Sequence, residues 1–147
     1  MAPQLSEAEL VAIFPSLANS KFAITSEPDE EYNCIAWAAG EQGKWWWPGR
    51  FWPKEAPPVD TRLAFIKAFK SKGYEVCDNG ELEPGYEKIC LYEKQGRPKH
   101  AARQLLDGMW TSKLGMSHDI SHELHGLTGK QYGKPSLFMR RPQRCGL

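Results

Sequence analysis

The chain has 147 residues with 19 Lys+Arg against 18 Asp+Glu, four Cys, four His and six Trp. This length suits one compact domain over residues 1–147 with a single core. The net charge of +1 supplies no basic excess for phosphate binding, so nucleic acid is not an expected partner. The longest apolar runs, Leu10 to Phe14 and Ile35 to Ala39, are far too short for a bilayer span, so no membrane insertion is expected. The first residues lack the positive and then apolar character of a secretory signal, which predicts a cytoplasmic location or export by a route this sequence does not encode. Cys34, Cys77, Cys90 and Cys145 follow no Cys-x-x-Cys spacing and are expected as mostly free thiols.

In chain order, Ser6-x-x-Glu9 before Leu10-Val11-Ala12-Ile13-Phe14 has the form of a capping box opening a two-turn helix, which Pro15 stops. Residues 16–31 read as irregular and end in the acidic run 27–31. Asn33 as N-cap, the alanines of Cys34-Ile35-Ala36-Trp37-Ala38-Ala39 and the stop at Gly40 predict a buried helix with Cys34 on its first turn. The aromatic stretch Trp45 to Pro53, within an insertion over residues 40–60, is too rich in proline for regular structure and too apolar to be a free linker. Residues 60–73 predict a helix capped by Asp60 and closed by Gly73, with Leu63, Ile66 and Phe69 on its apolar face.

Strand patterns follow at 74–77, 88–92, 100–105, 109–114 and 136–140, with turns at Asp78-Asn79-Gly80, Gln95-Gly96-Arg97-Pro98 and Asp107-Gly108. Asp107-Gly108 is the strongest hairpin signal. Residues 119–127 read as a short helix. Helices first and then a mainly antiparallel sheet predict an α+β fold, with the N-terminal helices packed on the sheet.

The candidate chemistry starts from Cys34. A thiol at a helix start lies where unpaired N–H groups and the positive dipole end favour the thiolate. A nucleophilic thiol needs a base, and imidazole suits that task near neutrality. His100, at a strand start, is the expected partner because a strand holds its side chain in a fixed direction. The orienting third group is open among Ser112, opposite on the hairpin, Gln104, two positions along the same face, and Asp119, reaching back from the next segment. A two-residue turn at Asp107-Gly108 makes facing residue numbers sum to 215; a longer loop shifts that sum.

An Asn-Cys at a helix start (Asn33-Cys34), followed by a sheet strand beginning at His100 and its hairpin partner, resembles the papain-like cysteine hydrolases, especially the small bacterial NlpC-type and CHAP-type amidases. The blocks Tyr32 to Ala38, the Trp-Trp-Pro loop, His100 to Leu105 and Trp110 to Gly115 also look like those of a family of uncharacterised bacterial proteins. The resemblance covers residues 32 to about 140 and implies Cys34 as nucleophile and His100 as base. It supplies no substrate; a thiol hydrolase or acyl transferase of this kind implies no cofactor and leaves a peptide or protein amide open as substrate, peptidoglycan peptides included. The sequence departs from the enzymes at the third residue, where Ser112 stands in place of their usual Asp, Asn, His or Glu.

In that architecture the oxyanion donors are the Cys34 backbone N–H and an amide of Asn33 or Gln42, although Asn33 serves equally as an N-cap. Trp46 or Trp45 is open as one wall of a cleft or as part of a roof over the helix layer. Arg103 and Lys113 on facing hairpin arms suit an acidic substrate group or a solvated sheet edge. His118 and His122 are four apart, which on a helix puts both on one face, but no full ligand set accompanies them, and no metal site is assigned. The alternative to catalysis is an interaction module using the Trp-rich loop and the basic hairpin.

Overall fold

The computed structural model describes residues 4–143; Arg144 and Cys145 lie outside them. Helix α1 spans Glu7–Ile13 and carries the expected capping box, with the Ser6 hydroxyl accepting from Glu9 N–H and the Glu9 carboxylate accepting from Ser6 N–H. A 3₁₀ turn over Pro15–Asn19 follows. Strand β1, Phe22–Ile24, lies in the stretch read as irregular, because three residues are too few to show an alternating pattern.

Helix α2 spans Cys34–Ala38 with Asn33 as N-cap, and α3 spans Arg62–Lys70. The cap of α3 is Thr61, whose hydroxyl accepts from Ala64 N–H, and not Asp60, which pairs with Arg97 instead. The buried face of α3 is Ala64, Phe65, Ala68 and Phe69, and Leu63 is 59% exposed. The two alanines let the helix approach the sheet closely, which rotates Leu63 outward.

The strands β2 (Glu75–Cys77), β3 (Tyr86–Lys94), β4 (Arg97–Gln104), β5 (Trp110–Lys113), β6 (Asp119–His122) and β7 (Lys134–Pro142) join β1 in one seven-stranded sheet. Its order is β1-β6-β5-β4-β3-β7-β2, and every neighbouring pair is antiparallel. The helix expected over 119–127 is therefore β6 followed by a 3₁₀ turn at Leu124–Leu127. Pairing with β1 and β5 on its two sides outweighs any local helical preference of Asp119-Ile120-Ser121-His122.

Successive residues of a strand point to opposite faces, and both faces are covered. Ile89, Leu91, Ala101 and Met139 pack under α2, α3 and the Trp-rich loop with Ile35, Trp46, Phe65 and Phe69. Cys90, Tyr92, Ala102, Trp110 and Ile120 pack against Leu10, Phe14, Leu17 and Leu127. The helices thus divide between the two faces, α1 on one and α2 with α3 on the other. No helix among the described residues is long and apolar enough to cross a membrane.

Two hairpins fix the centre of the sheet. β3 and β4 are joined by Gln95-Gly96, both at positive φ (55° and 76°), the conformation a two-residue type I′ turn requires. Between β4 and β5, Leu105 N–H donates to Met109 C=O at 2.7 Å, leaving a three-residue loop, Leu106-Asp107-Gly108. The register becomes Arg103↔Thr111 and Gln104↔Trp110, a sum of 214 instead of 215. A one-residue slip turns every side chain over, so this loop puts Ser112 on the face of His100, Ala102 and Gln104.

Candidate functional site

The β4–β5 ladder consists of those two pairs among the described residues, so toward His100 and Ser112 the strands are no longer held by backbone bonds. The N-terminus of α2 borders this opening from one layer, and the His100 ring borders it from the other.

Cys34 opens α2 and is 8% exposed. Its sulfur faces the backbone N–H groups of Ala101, Ile35 and Cys34 itself, with the Lys113 ammonium further off. All of these favour thiolate, yet burial outweighs them and pushes the thiol up to about 11. The expected low-pKa thiolate is corrected on this point: in a five-residue helix wrapped by core side chains, desolvation exceeds what the helix start supplies.

His100 is fully buried. Its ring stacks on Tyr132 at 4.0 Å and 6° and meets the edge of Tyr92 at 5.3 Å. Nε2 lies 2.8 Å from Ser112 Oγ, Ser112 Oγ lies 2.7 Å from His122 Nε2, and His122 Nδ1 lies 2.7 Å from the Glu123 carbonyl oxygen. Burial and then the neighbouring His122 hold the His100 pKa well below the ordinary imidazole value. Burial lowers His122 to about 4 against the opposing pull of the Glu123 carbonyl. His100 Nδ1 is buried and has no hydrogen-bond partner, so no hydrogen bond joins it to the Cys34 thiol. The thiol and the ring meet adjacent residues of β4 from opposite faces of the sheet. The thiol rests on the amide of Ala101, the residue after His100; burial first, and the Cys34 sulfur second, raise the phenol of Tyr132, the ring stacked on His100.

Of the three orienting candidates, Ser112 holds the ring. Gln104 shares the face but donates from Nε2 to Gly80 C=O at 2.6 Å. Asp119 lies on the opposite face, where it accepts from Tyr32 Oη at 3.0 and 3.1 Å. Asp119 belongs with Lys113, whose buried ammonium donates to the carbonyls of Asp29 and Gly115 and sits 4.7 Å over the Tyr32 ring. This cluster fastens residues 25–32, the lead-in to Cys34, to the β5–β6 turn.

Asn33 is a clasp rather than a free amide. Its Oδ1 accepts from Ala36 N–H and Trp46 N–H, and its Nδ2 donates to Trp46 C=O at 2.7 Å. Trp46 is 0% exposed, which makes it roof and removes it as a contact surface. Arg103 lies 4.7 Å over the Trp37 ring and lines a surface cavity of about 280 Å³ with Leu82, Tyr86 and Leu106. His118 and His122 do not share a helix face. His118 accepts from Leu5 N–H and bonds the Ser26 carbonyl, apart from the His122 chain. No three His, Cys, Asp or Glu side chains gather to hold a metal ion among the described residues.

His122 and Tyr132 are the site residues that sequence reasoning missed. Reading 119–122 as a strand would have placed His122 on the face of Ser112; Tyr132 carries no local signal.

Residues 23–140 match the model of DUF7689, a domain of unknown function, and the chain belongs to that family. No curated protein and no solved structure matches it.

Proposed function

We propose that this chain of the DUF7689 family is a cysteine-dependent acyl-transfer enzyme of papain-like type, acting on an amide or ester carbonyl with Cys34 as nucleophile and His100 as base. The observation that carries this reading is His100 Nδ1, buried and unpartnered on a ring otherwise fixed by Ser112 and stacked on Tyr132. A buried polar atom left unpaired costs about 1–3 kcal/mol, and a catalytic role is one reason for keeping it.

In the proposed reaction the Cys34 proton passes to His100 Nδ1 as sulfur bonds to the carbonyl carbon. The C–N or C–O bond then breaks and the leaving group takes the proton from Nδ1. Water, or an amine in transfer, attacks the thioester, gives its proton to Nδ1, and that proton returns to the sulfur. The Cys34 backbone N–H is the oxyanion donor. With the thiol raised and the imidazole lowered, the resting pair is neutral, and the proton moves only as the carbonyl is attacked.

The test is acylation by p-nitrophenyl acetate at neutral pH, followed by peptide mass spectrometry of each thiol. Cys34 should acylate faster than the half-buried Cys77 and the buried Cys90, and His100→Ala should slow Cys34 by roughly 10²-fold or more. Acylation at Cys34 no faster than at Cys77 would overturn the reading.

A second reading, a binding module on the same fold, is favoured by Leu106, 84% exposed beside Arg103 in the 280 Å³ cavity. It expects Arg103→Ala to abolish partner binding while Cys34→Ala leaves it intact.

A further inference from the structure

The geometry points to His122, acting through Ser112, as the positioning residue that decides which nitrogen of His100 carries the lone pair; this rests on the reading of His100 as base. The argument starts at the far end of the chain of hydrogen bonds. The Glu123 carbonyl oxygen has no proton to give, so His122 Nδ1, 2.7 Å away, must be the donor. A neutral imidazole carries one N–H, which leaves His122 Nε2 as an acceptor. The one proton of Ser112 Oγ therefore points to His122 Nε2, at 2.7 Å. Ser112 Oγ can then only accept along its other bond, so His100 Nε2, at 2.8 Å, carries the hydrogen. His100 Nδ1 is left with its lone pair, and among the four ring nitrogens of His100 and His122 it is the one without a partner.

A single backbone carbonyl thus sets the direction of three consecutive bonds, and no carboxylate is needed. The Ser112–His122 pair does the orienting work for which the sequence offered no acidic residue opposite His100. Without the acceptor at His122, the Ser112 proton is free to turn to His100 Nε2. That forces the hydrogen onto Nδ1, where it blocks the lone pair that the thiol proton needs.

The test reads the tautomer directly, in the full-length chain with ¹⁵N-labelled imidazoles, by long-range ¹H–¹⁵N correlation at neutral pH. In the wild type His100 should be the Nε2–H form and His122 the Nδ1–H form; His100 found as Nδ1–H overturns the inference without any variant. His122→Gln keeps an acceptor for Ser112 and a donor for the Glu123 carbonyl, and should leave His100 as Nε2–H. His122→Phe should bring in the Nδ1–H form of His100 and slow Cys34 acylation by roughly 10²-fold or more, the scale of losing a general base. If His122→Phe does not fold, Ser112→Ala, a smaller change on the same path, should also release the tautomer. An unchanged His100 tautomer in a folded His122→Phe or Ser112→Ala chain sinks the inference while leaving the acyl-transfer reading standing. The expected tautomers with no acylation of Cys34 even in the wild type sink the acyl-transfer reading, and His122's role in it, while the hydrogen-bond polarity remains.

Discussion

His100 Nε2 and Ser112 Oγ are 2.8 Å apart across strands that no longer pair by backbone at that level, so a side-chain bond closes the ladder where main-chain bonds have stopped. The three-residue loop Leu106-Asp107-Gly108 makes this contact available, since a two-residue turn would have turned Ser112 to the opposite face. Gly108, at φ +90°, is what lets the loop close.

The raised Cys34 thiol sets its direct reactivity. Alkylation by iodoacetamide, which follows the thiolate fraction, should be slow at pH 7 and rise with pH toward about 11. Peptide mass spectrometry of the labelled chain checks this; a half-maximal rate at about pH 8.5 would show an ordinary exposed thiol. The same shift makes folding pH-dependent. Above the ordinary thiol pKa the unfolded chain loses the proton first, so this contribution to stability is present below that value and is lost as pH rises to about 11.

Acid should weaken the protein through the two histidines. Burial holds His122 at about 4, below the ordinary imidazole value of about 6.5, and lowers His100 as well, so between these values the unfolded chain binds more protons. Stability should fall as pH drops from 6.5 toward 4, with His122 alone accounting for about 3 kcal/mol. Urea unfolding at pH 7, 5 and 4 measures this. His122→Gln should flatten the slope, and an unchanged slope in that variant would locate the acid sensitivity elsewhere.

The clasp of Asn33 on Trp46 joins the Cys34 helix to the aromatic roof. Asn33→Ala removes the cap and both bonds to Trp46 and should destabilise by about 2 kcal/mol or more. Trp46→Ala should cost about 3–5 kcal/mol. Indole fluorescence during denaturation provides the readout. An Asn33→Ala chain as stable as the wild type would show that the clasp is incidental.

Lys113 fastens the lead-in to Cys34. Its ammonium is buried and donates to the Asp29 and Gly115 carbonyls, so Lys113→Met leaves two carbonyls unpaired and removes the cation over Tyr32. Limited proteolysis by a Glu-specific protease should then cut within residues 27–31 faster than in the wild type. Equal cleavage rates would mean that the Tyr32–Asp119 bond holds the segment by itself.

Features that need only neighbours along the chain were legible in the residues alone. Ser6 and Glu9 close a capping box within four residues, Asn33 caps the helix of Cys34, and the apolar run at Ile89 to Tyr92 makes a central strand, because backbone geometry and burial act there over short range. How these pieces combine depends on contacts between residues far apart in the chain. Leu63 turned outward because Ala64 and Ala68 allow α3 to lie closer to the sheet, and residues 119–122 became a strand because β1 and β5 each offer a row of backbone partners. Ser112 came to His100 through one extra loop residue, and Asp119 went to Tyr32 on the other face. His122 joined the site from ten residues beyond Ser112, a relation set by strand register, for which the sequence carries no local mark. The thiol's chemistry was decided the same way: the helix start was legible, but desolvation depends on every side chain that closes over Cys34, and it outweighs the helix.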